Sequence, residues 1–220
     1  VSCVIPVYNE EDSIAGTINL AENILSQIVS GWEIIIVESG STDKTWSRIN
    51  TLISGKDKIR AYRQVKREGM GSALRFGYSK CTKDFICILE ADTPFEMIYF
   101  RKAIPILLEN DCVIGYRVGP REQNFRWSYH NTGRWAVIRS IFHIGYNFLL
   151  RIVFGLAVRD ANFSFKIFKR IHIQNLHLIS NGWFIDAEIL LELKANGILP
   201  IEMPVEYRDR TIGQSSVNLL

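Results

Sequence analysis

Several features that usually declare a function are missing from this chain. Its four cysteines, Cys3, Cys81, Cys87 and Cys112, form no CxxC pair. Three of them sit in apolar, strand-like surroundings, so they read as small core residues of a reducing compartment and not as a disulfide frame or zinc site. The four histidines show no HExxH or comparable ligand spacing, which argues against a histidine metal site. No uninterrupted apolar run reaches the roughly 18 residues of a membrane span. No repeat, low-complexity tract or Pro/Gly-rich linker divides the chain. Charge is nearly balanced, with Lys+Arg 26 against Asp+Glu 23 and a net of +3, too mild to call for nucleic acid as a partner. The opening VSCVIPVYNEE reads as a strand and a polar turn, and it lacks an initiating Met, so absent leader or anchor segments exclude nothing.

What is present is a full core and a clear alternation. With 220 residues, 47% hydrophobic and 22% charged, the chain can bury one ordinary domain. VSCVIPVY, WEIIIVE, KIRAYRQV, DFICILEAD and DCVIGYR read as strands, and residues 11–29, 42–54, 70–80 and 96–109 as the helices between them. This is a βαβ pattern, and right-handed crossovers lay such strands into one mostly parallel sheet with helices on both faces. Ligands in these sheets bind beyond the carboxyl ends of the strands. Three polar clusters fall there, YNEED, ESGSTD and EADTP, and converge on one crevice. In FICILEADTPFE, Glu90 and Asp92 are separated only by Ala91; two carboxylates on one side of a strand repel unless a cation lies between them. After Arg117 the pattern changes to a polar loop and then a long, mostly apolar segment. The chain reads as one domain over 1–220, with a nucleotide-type crevice in 1–117 and the site for a second substrate in 118–220.

VIPVYNEEDSI, EIIIVESGSTDKT, REGMGSALRFGY, DFICILEADTPFE, LLRIVFGLAVRDANFSFKIFKR, GWFIDAEILLEL and EYRDRTIGQSS follow one another in an order and spacing that resembles the family 2 glycosyltransferases, most of all those transferring sugars to dolichyl or polyprenyl phosphate. The resemblance covers nearly the whole chain. It implies a GT-A fold, a UDP- or GDP-sugar donor, Mg²⁺ or Mn²⁺, and inverting transfer onto a lipid phosphate at a membrane face, with the active site on the cytoplasmic side.

Each motif has a chemical reading beside a plainer one. Pro6 and Tyr8 would wall a base pocket and Glu10 would accept hydrogen bonds from the nucleoside, where the plainer reading is a polar turn. Glu38, at a strand end, suits a base or ribose hydroxyl, although relatives carry two aspartates where this chain has Glu38 and Ser39. Gly69 and Gly71 precede a helix, so that backbone N–H groups are able to approach a phosphate, with Arg67 nearby; standing alone the motif is better read as a helix entry. The resemblance puts Glu90 and Asp92 on the family's metal-gripping acidic pair, whose oxygens suit a hard cation bridging a diphosphate. The pair departs from type at Glu90, and Pro94 replaces a polar residue.

Two mechanisms remain open for the acceptor. A lipid phosphate is already anionic near neutral pH, its second pKa being about 6, and needs no base; Arg117 and Arg139, which match family arginines, would hold it. A hydroxyl acceptor needs a carboxylate to take its proton, and Asp186 and Glu188 are the candidates, unless they only decorate a helix start. Arg210 and Ser215 resemble a closing loop over the diphosphate, with Ser216 in place of the usual Lys. Asp160 and Lys166 match the family in type, while Phe163 and Ser164 replace the usual Ser and Gly. Two further alternatives are a transferase acting on a glycan and a catalytically silent nucleotide-sugar-binding module. Last, residues 134–156 plotted on a helix put Ser140, His143, Asn147 and Arg151 in one stripe and apolar side chains over most of the rest. That places the segment either in the core or at a membrane surface.

Overall fold

The computed structural model describes residues 1–91, 95–96, 98–119 and 134–207, and of residues 134–140 the backbone alone. In chain order the elements are β1 (Ser2–Val7), α1 (Ile14–Ile28), β2 (Glu33–Glu38), α2 (Thr45–Ile53), β3 (Ile59–Arg63), α3 (Met70–Lys80), β4 (Phe85–Ile88), α4 (Ile98–Glu109), β5 (Cys112–Val118), α5 (Arg134–Phe154), β6 (Lys166–Lys169), α6 (Arg170–Gln174), α7 (Ile185–Ala195) and β7 (Ile201–Glu206). All seven strands lie in one sheet of order β3-β2-β1-β4-β6-β5-β7. β1 pairs in parallel with β2 and β4, and β5 with β7; β6 runs antiparallel to both β4 and β5.

The sheet is covered on both faces, which is why its strands read as continuous apolar runs. Alternation sorts the side chains between two cores. Cys3, Ile5, Val7, Ile34 and Ile36 point to one side, against Ile14 and Ile18 of α1, Ile49 of α2 and Phe100 and Leu107 of α4. Val4, Ile35 and Val37 point to the other, against Ala73 and Leu74 of α3, Leu150 of α5 and Ile185 and Ile189 of α7. Helix α3 lies so close to the sheet that a Cβ on Gly77 would run into Val4.

The fold class and the order of the first nine elements agree with the sequence reading. One local expectation is corrected: β4 stops at Ile88, so Glu90 lies beyond the strand and its carboxylate is not set by strand alternation. Pairing with β1 extends only to Val4↔Ile88, with a last bond from the Leu89 N–H to the Val4 carbonyl at 3.0 Å. From there the chain turns toward α1, where the Thr17 hydroxyl donates to the Ala91 carbonyl at 2.5 Å.

Candidate active site

On the side of β1, β2 and β3, the loops at the carboxyl ends are sewn together mostly by amide and hydroxyl hydrogen bonds. Asn9 has φ +53°, a left-handed conformation that Asn tolerates better than most residues. Its Oδ1 accepts from the Thr42 N–H at 2.9 Å, and its own N–H donates to the Ser41 Oγ at 2.9 Å. The Glu10 N–H donates to the Thr45 Oγ1 at 2.9 Å, and the Glu10 carboxylate accepts from the Ser13 hydroxyl. Pro6 and Tyr8 are half-buried beside this seam, and the Arg67 guanidinium stacks over the Tyr8 ring at 4.1 Å, a cation–π contact that closes one wall.

Glu38 is wholly buried. One oxygen accepts from the Ser41 N–H and the other from Arg63 Nε at 2.9 Å. The carboxylate therefore meets the protein on both oxygens and braces the loop of Ser39 to Ser41. Ser39 donates to Gln64 at 2.9 Å, Gln64 to Ser72 at 3.1 Å and Ser72 to Glu68 at 2.9 Å. This chain of hydroxyls and an amide runs from the end of β2 to the start of α3.

The glycines of REGMGSALRFGY have a structural reason for their absent side chains. A Cβ on Gly69, which has φ +99°, would strike the Asn181 carbonyl, and one on Gly71 the Ser180 carbonyl. The Gly71 N–H donates to the Asn181 carbonyl at 2.8 Å. The close backbone approach is thus to the loop before α7. Arg75 fastens the same loop by donating to the Ser180 carbonyl and the Asn181 side chain. Glu188 completes the brace, accepting from the N–H groups of Ile179 at 2.9 Å and Ser180 at 3.0 Å.

On the side of β5, β6 and α7, charge takes over. Glu90 is partly exposed and accepts from the Ser164 hydroxyl at 3.1 Å. Arg117 is buried; its Nε and one Nη reach the two oxygens of Asp160 at 2.7 and 2.9 Å. The rings of Phe163 and Tyr207 each lie 5.6 Å from the guanidinium. Burial alone would raise the Asp160 carboxyl, but the Arg117 guanidinium wins and holds it below the usual carboxylate range. His143 of α5 faces the pair, with Nδ1 3.4 Å from an Arg117 Nη. Since a guanidinium only donates, that nitrogen must be the acceptor. Burial lowers the imidazole's pKa, Asp160 opposes this and Arg117 adds to it. Asp186 is fully enclosed and paired with the buried Lys166 at 2.7 Å; burial raises its pKa against the pull of Lys166. Lys166 also donates to the Phe163 carbonyl.

Helix α5 is built inside out. His143 and Leu150 are buried, and Asn147 accepts from the Ala161 N–H at 3.0 Å, so these two polar residues of the stripe, His143 and Asn147, face the protein, while Arg151 is exposed. Outward face Ile141, Phe142 (66% exposed), Phe148 (63% exposed), Leu149, Ile152 and Val153. No helix among the described residues is long and apolar enough to cross a membrane.

The structure thus gathers Pro6, Tyr8, Glu10, Glu38 and Arg67 on one side of the crevice, and Glu90, Arg117 and Asp186 toward the other. Gly69 and Glu188 share the brace of the 179–181 loop. Asp92, Arg210 and Ser215 lie outside the described residues, as do Pro94 and Ser216, and of Arg139 only the backbone within α5 is described. Asp160 and His143 as partners of Arg117, and Lys166 as partner of Asp186, were not read from sequence. They are brought together only by β6 and α5 returning to the sheet.

Residues 2–176 match the family model described as glycosyl transferase family 2. The chain is 26% identical to the glycosyltransferase AglD of Haloferax volcanii, over 100% of this chain and 34% of that protein. It is 25% identical to a dolichol-phosphate mannosyltransferase of Pyrococcus furiosus, over 99% of this chain and 59% of that one. It is 26% identical to a dolichyl-phosphate beta-glucosyltransferase of Trichomonas vaginalis, over 95% and 66%. The chain therefore spans between a third and two-thirds of the length of these relatives. Among solved structures, mannosyl-3-phosphoglycerate synthase of Rubrobacter xylanophilus superposes with a TM-score of 0.70 at 16% identity, covering 96% of this chain and 67% of that one. Glucosyl-3-phosphoglycerate synthase of Mycobacterium tuberculosis, crystallised with Mn²⁺, UDP and phosphoglyceric acid, superposes at 0.63 and 20% identity, covering 95% and 70%. These likenesses show the fold, a GT-A sheet, and with the family model over most of its length the chain belongs to glycosyl transferase family 2.

Proposed function

We propose that the chain transfers a sugar from a nucleoside-diphosphate sugar, a UDP- or GDP-sugar, to a polyprenyl phosphate of the dolichyl type. Transfer proceeds with inversion, at a membrane surface on its cytoplasmic side. The names of the Pyrococcus and Trichomonas relatives support the acceptor class. The observation that carries the choice for this chain is helix α5. His143 and Asn147 are committed to Arg117 and Ala161, and its apolar side faces outward. A water-soluble glycan has no use for such a face, whereas a phosphate on a bilayer-embedded chain must be met at the bilayer. The candidate bases agree with this reading, since Asp186 is paired with Lys166 and Glu188 holds backbone N–H groups. A phosphate acceptor has no proton for them to take.

In this reading Pro6, Tyr8, Glu10, Glu38, Arg67 and Gly69 shape the nucleoside side, and Arg210 and Ser215 close on the diphosphate. Arg139 meets the acceptor phosphate, and Arg117, held in place by Asp160, sets its positive charge behind it. Its oxygen bonds to the anomeric carbon from the face opposite the leaving group as the bond to the nucleoside diphosphate breaks. Glu90 fits the edge of a hard-cation site, being a partly exposed carboxylate at the crevice oriented by Ser164. Among the described residues no group of three or more His, Cys, Asp or Glu side chains is placed to hold a metal. Mg²⁺ or Mn²⁺ would therefore rest on Glu90, Asp92 and the donor's own phosphates. When bound, it offsets the charge of the departing diphosphate.

The test is transfer of radiolabelled sugar from UDP- and GDP-sugars to polyprenyl phosphate, scored by partition into organic solvent, with and without metal. Asp92→Asn should abolish metal-dependent transfer and Glu90→Gln should weaken it. Normal transfer by both variants would end the metal assignment. Label that stays in water and joins a glycan would end the lipid one.

A further inference from the structure

Helices α5 and α7 lie side by side. Tyr146 of α5 packs against the apolar cluster that holds Ile185 and Ile189 of α7, and Lys194 near the end of α7 donates to the Phe154 carbonyl at the end of α5, at 2.7 Å. Leu150 shares one apolar cluster with Ile185 and Ile189 between these points. With the ends of both helices in contact and the start of α7 in one cluster with Tyr146 and Leu150, the two run in the same direction, and the residues just before α7 lie toward the His143 end of α5. Those residues include Trp183 (50% exposed) and Phe184 (43% exposed), with Ile179 (70% exposed) on the same loop. The loop is no fraying end, being fastened by Glu188, by Arg75 and by the Gly71 amide. A braced loop that turns a Trp and a Phe to the outside has a reason beyond its own stability, because burying them in the core would have been favourable.

We infer that the loop around Trp183 and Phe184 is a second bilayer-contacting element, continuous with the outward face of α5, so that the protein meets an anionic membrane on two elements. The inference rests on the membrane reading of α5 given above. Charge complementarity commits the surface to lipid. Residues 134–154 carry Arg134, Arg139 and Arg151, and neither that stretch nor 175–184 contains an Asp or Glu. Indole and arginine side chains are those that settle at headgroup level.

The full chain is mixed with vesicles of phosphatidylcholine and phosphatidylglycerol, plain or brominated in the acyl chains. Trp183→Phe removes one fluorophore while keeping the apolar surface. Bromolipid should quench the parent more than Trp183→Phe, and the difference is the Trp183 signal. The double variant Trp183→Ser with Phe184→Ser should lower vesicle partition by about tenfold with an unchanged melting temperature. If that variant melts early, the Trp183→Phe quenching difference alone decides. Equal quenching of parent and Trp183→Phe, or unchanged partition of the double variant, overturns the inference. Phe142→Ser with Phe148→Ser, run in parallel, reports on α5 separately, so the two readings fail independently. Concentration-dependent dimerisation without vesicle binding would make the face a contact between two copies and overturn both.

Discussion

The two sides of the crevice are built by different means. Toward β1, β2 and β3, the loops are tied mostly by amides and hydroxyls, from Asn9 to Thr42 and from Ser39 through Gln64 to Ser72, and the buried Glu38 is paired with an Arg63 that is itself exposed. Toward β5, β6 and α7, the ties are buried ion pairs, Arg117 with Asp160 and Lys166 with Asp186. Neutral ties lose about 1 kcal/mol each when cut. A buried charge stripped of its partner costs several times that. The side proposed to receive the acceptor is therefore the one whose geometry rests on pairs buried on both members, and the other rests mostly on ties that are cheap to cut.

The largest effect that would sharpen this contrast is expected at Asp160. Asp160→Ala leaves the Arg117 guanidinium buried without its counter-charge and should destabilise by about 3–5 kcal/mol in chemical denaturation. Replacing both partners with apolar residues of like volume should restore most of that. pH dependence separates the two pairs further. Asp160 is held low, so its contribution is complete above the unfolded carboxyl's pKa, about 3.9, and is lost as pH falls through the folded value. Asp186 is raised, so folding favours its protonated form and its penalty grows as pH rises from the unfolded value through the folded one. Stability of Asp186→Asn should accordingly fall less than that of Asp160→Asn near pH 7. A reversed order would erase the distinction.

A middle-sized effect is expected where the two sides meet. Gly71→Ala pushes a methyl into the Ser180 carbonyl and should cost about 1–3 kcal/mol, read as a shift in denaturation midpoint. A variant as stable as the parent would show the brace to be loose. The smallest effect is expected at Asn9. Asn9→Ala loses the bond to Thr42 and strains a left-handed residue, for about 1–2 kcal/mol. Asn9→Gly should lose less, because glycine adopts that φ without strain.

The parallel part of the sheet was legible because its runs, such as EIIIVE and SCVIPV, are buried on both faces, and covered strands need no alternation to be seen. β6 was not assigned: KIFK is four residues with a lysine at each end, and only the structure shows that Lys166 is buried against Asp186. β7, IEMPVE, carries Pro204 and reads as much like a loop as a strand. Glu90 was singled out by its spacing from Asp92, yet its orientation depends on Ser164, a contact that spacing does not encode. The pairing of Arg117 with Asp160 spans |i−j|=43; charge type was visible at both positions, and partnership was not. Helix α5 was seen as two-sided from its periodicity, but which side faces the protein follows from His143 and Asn147 meeting polar partners on β5 and the loop after Leu156.

The place of β6 has a consequence for how the chain is made. Strands β4 and β5 are not neighbours; the gap between them is filled only by residues 166–169. A chain emerging from the ribosome in N-to-C order completes β5 and then must synthesise α5 before the strand that joins β4 to β5 exists. For that interval both strands carry unpaired edges, the geometry that invites pairing with another chain. The sheet is joined late and from its middle, and a product terminated before Phe165 would hold nearly all of the nucleotide-side residues on β3-β2-β1-β4 yet lack the one strand that joins them to β5.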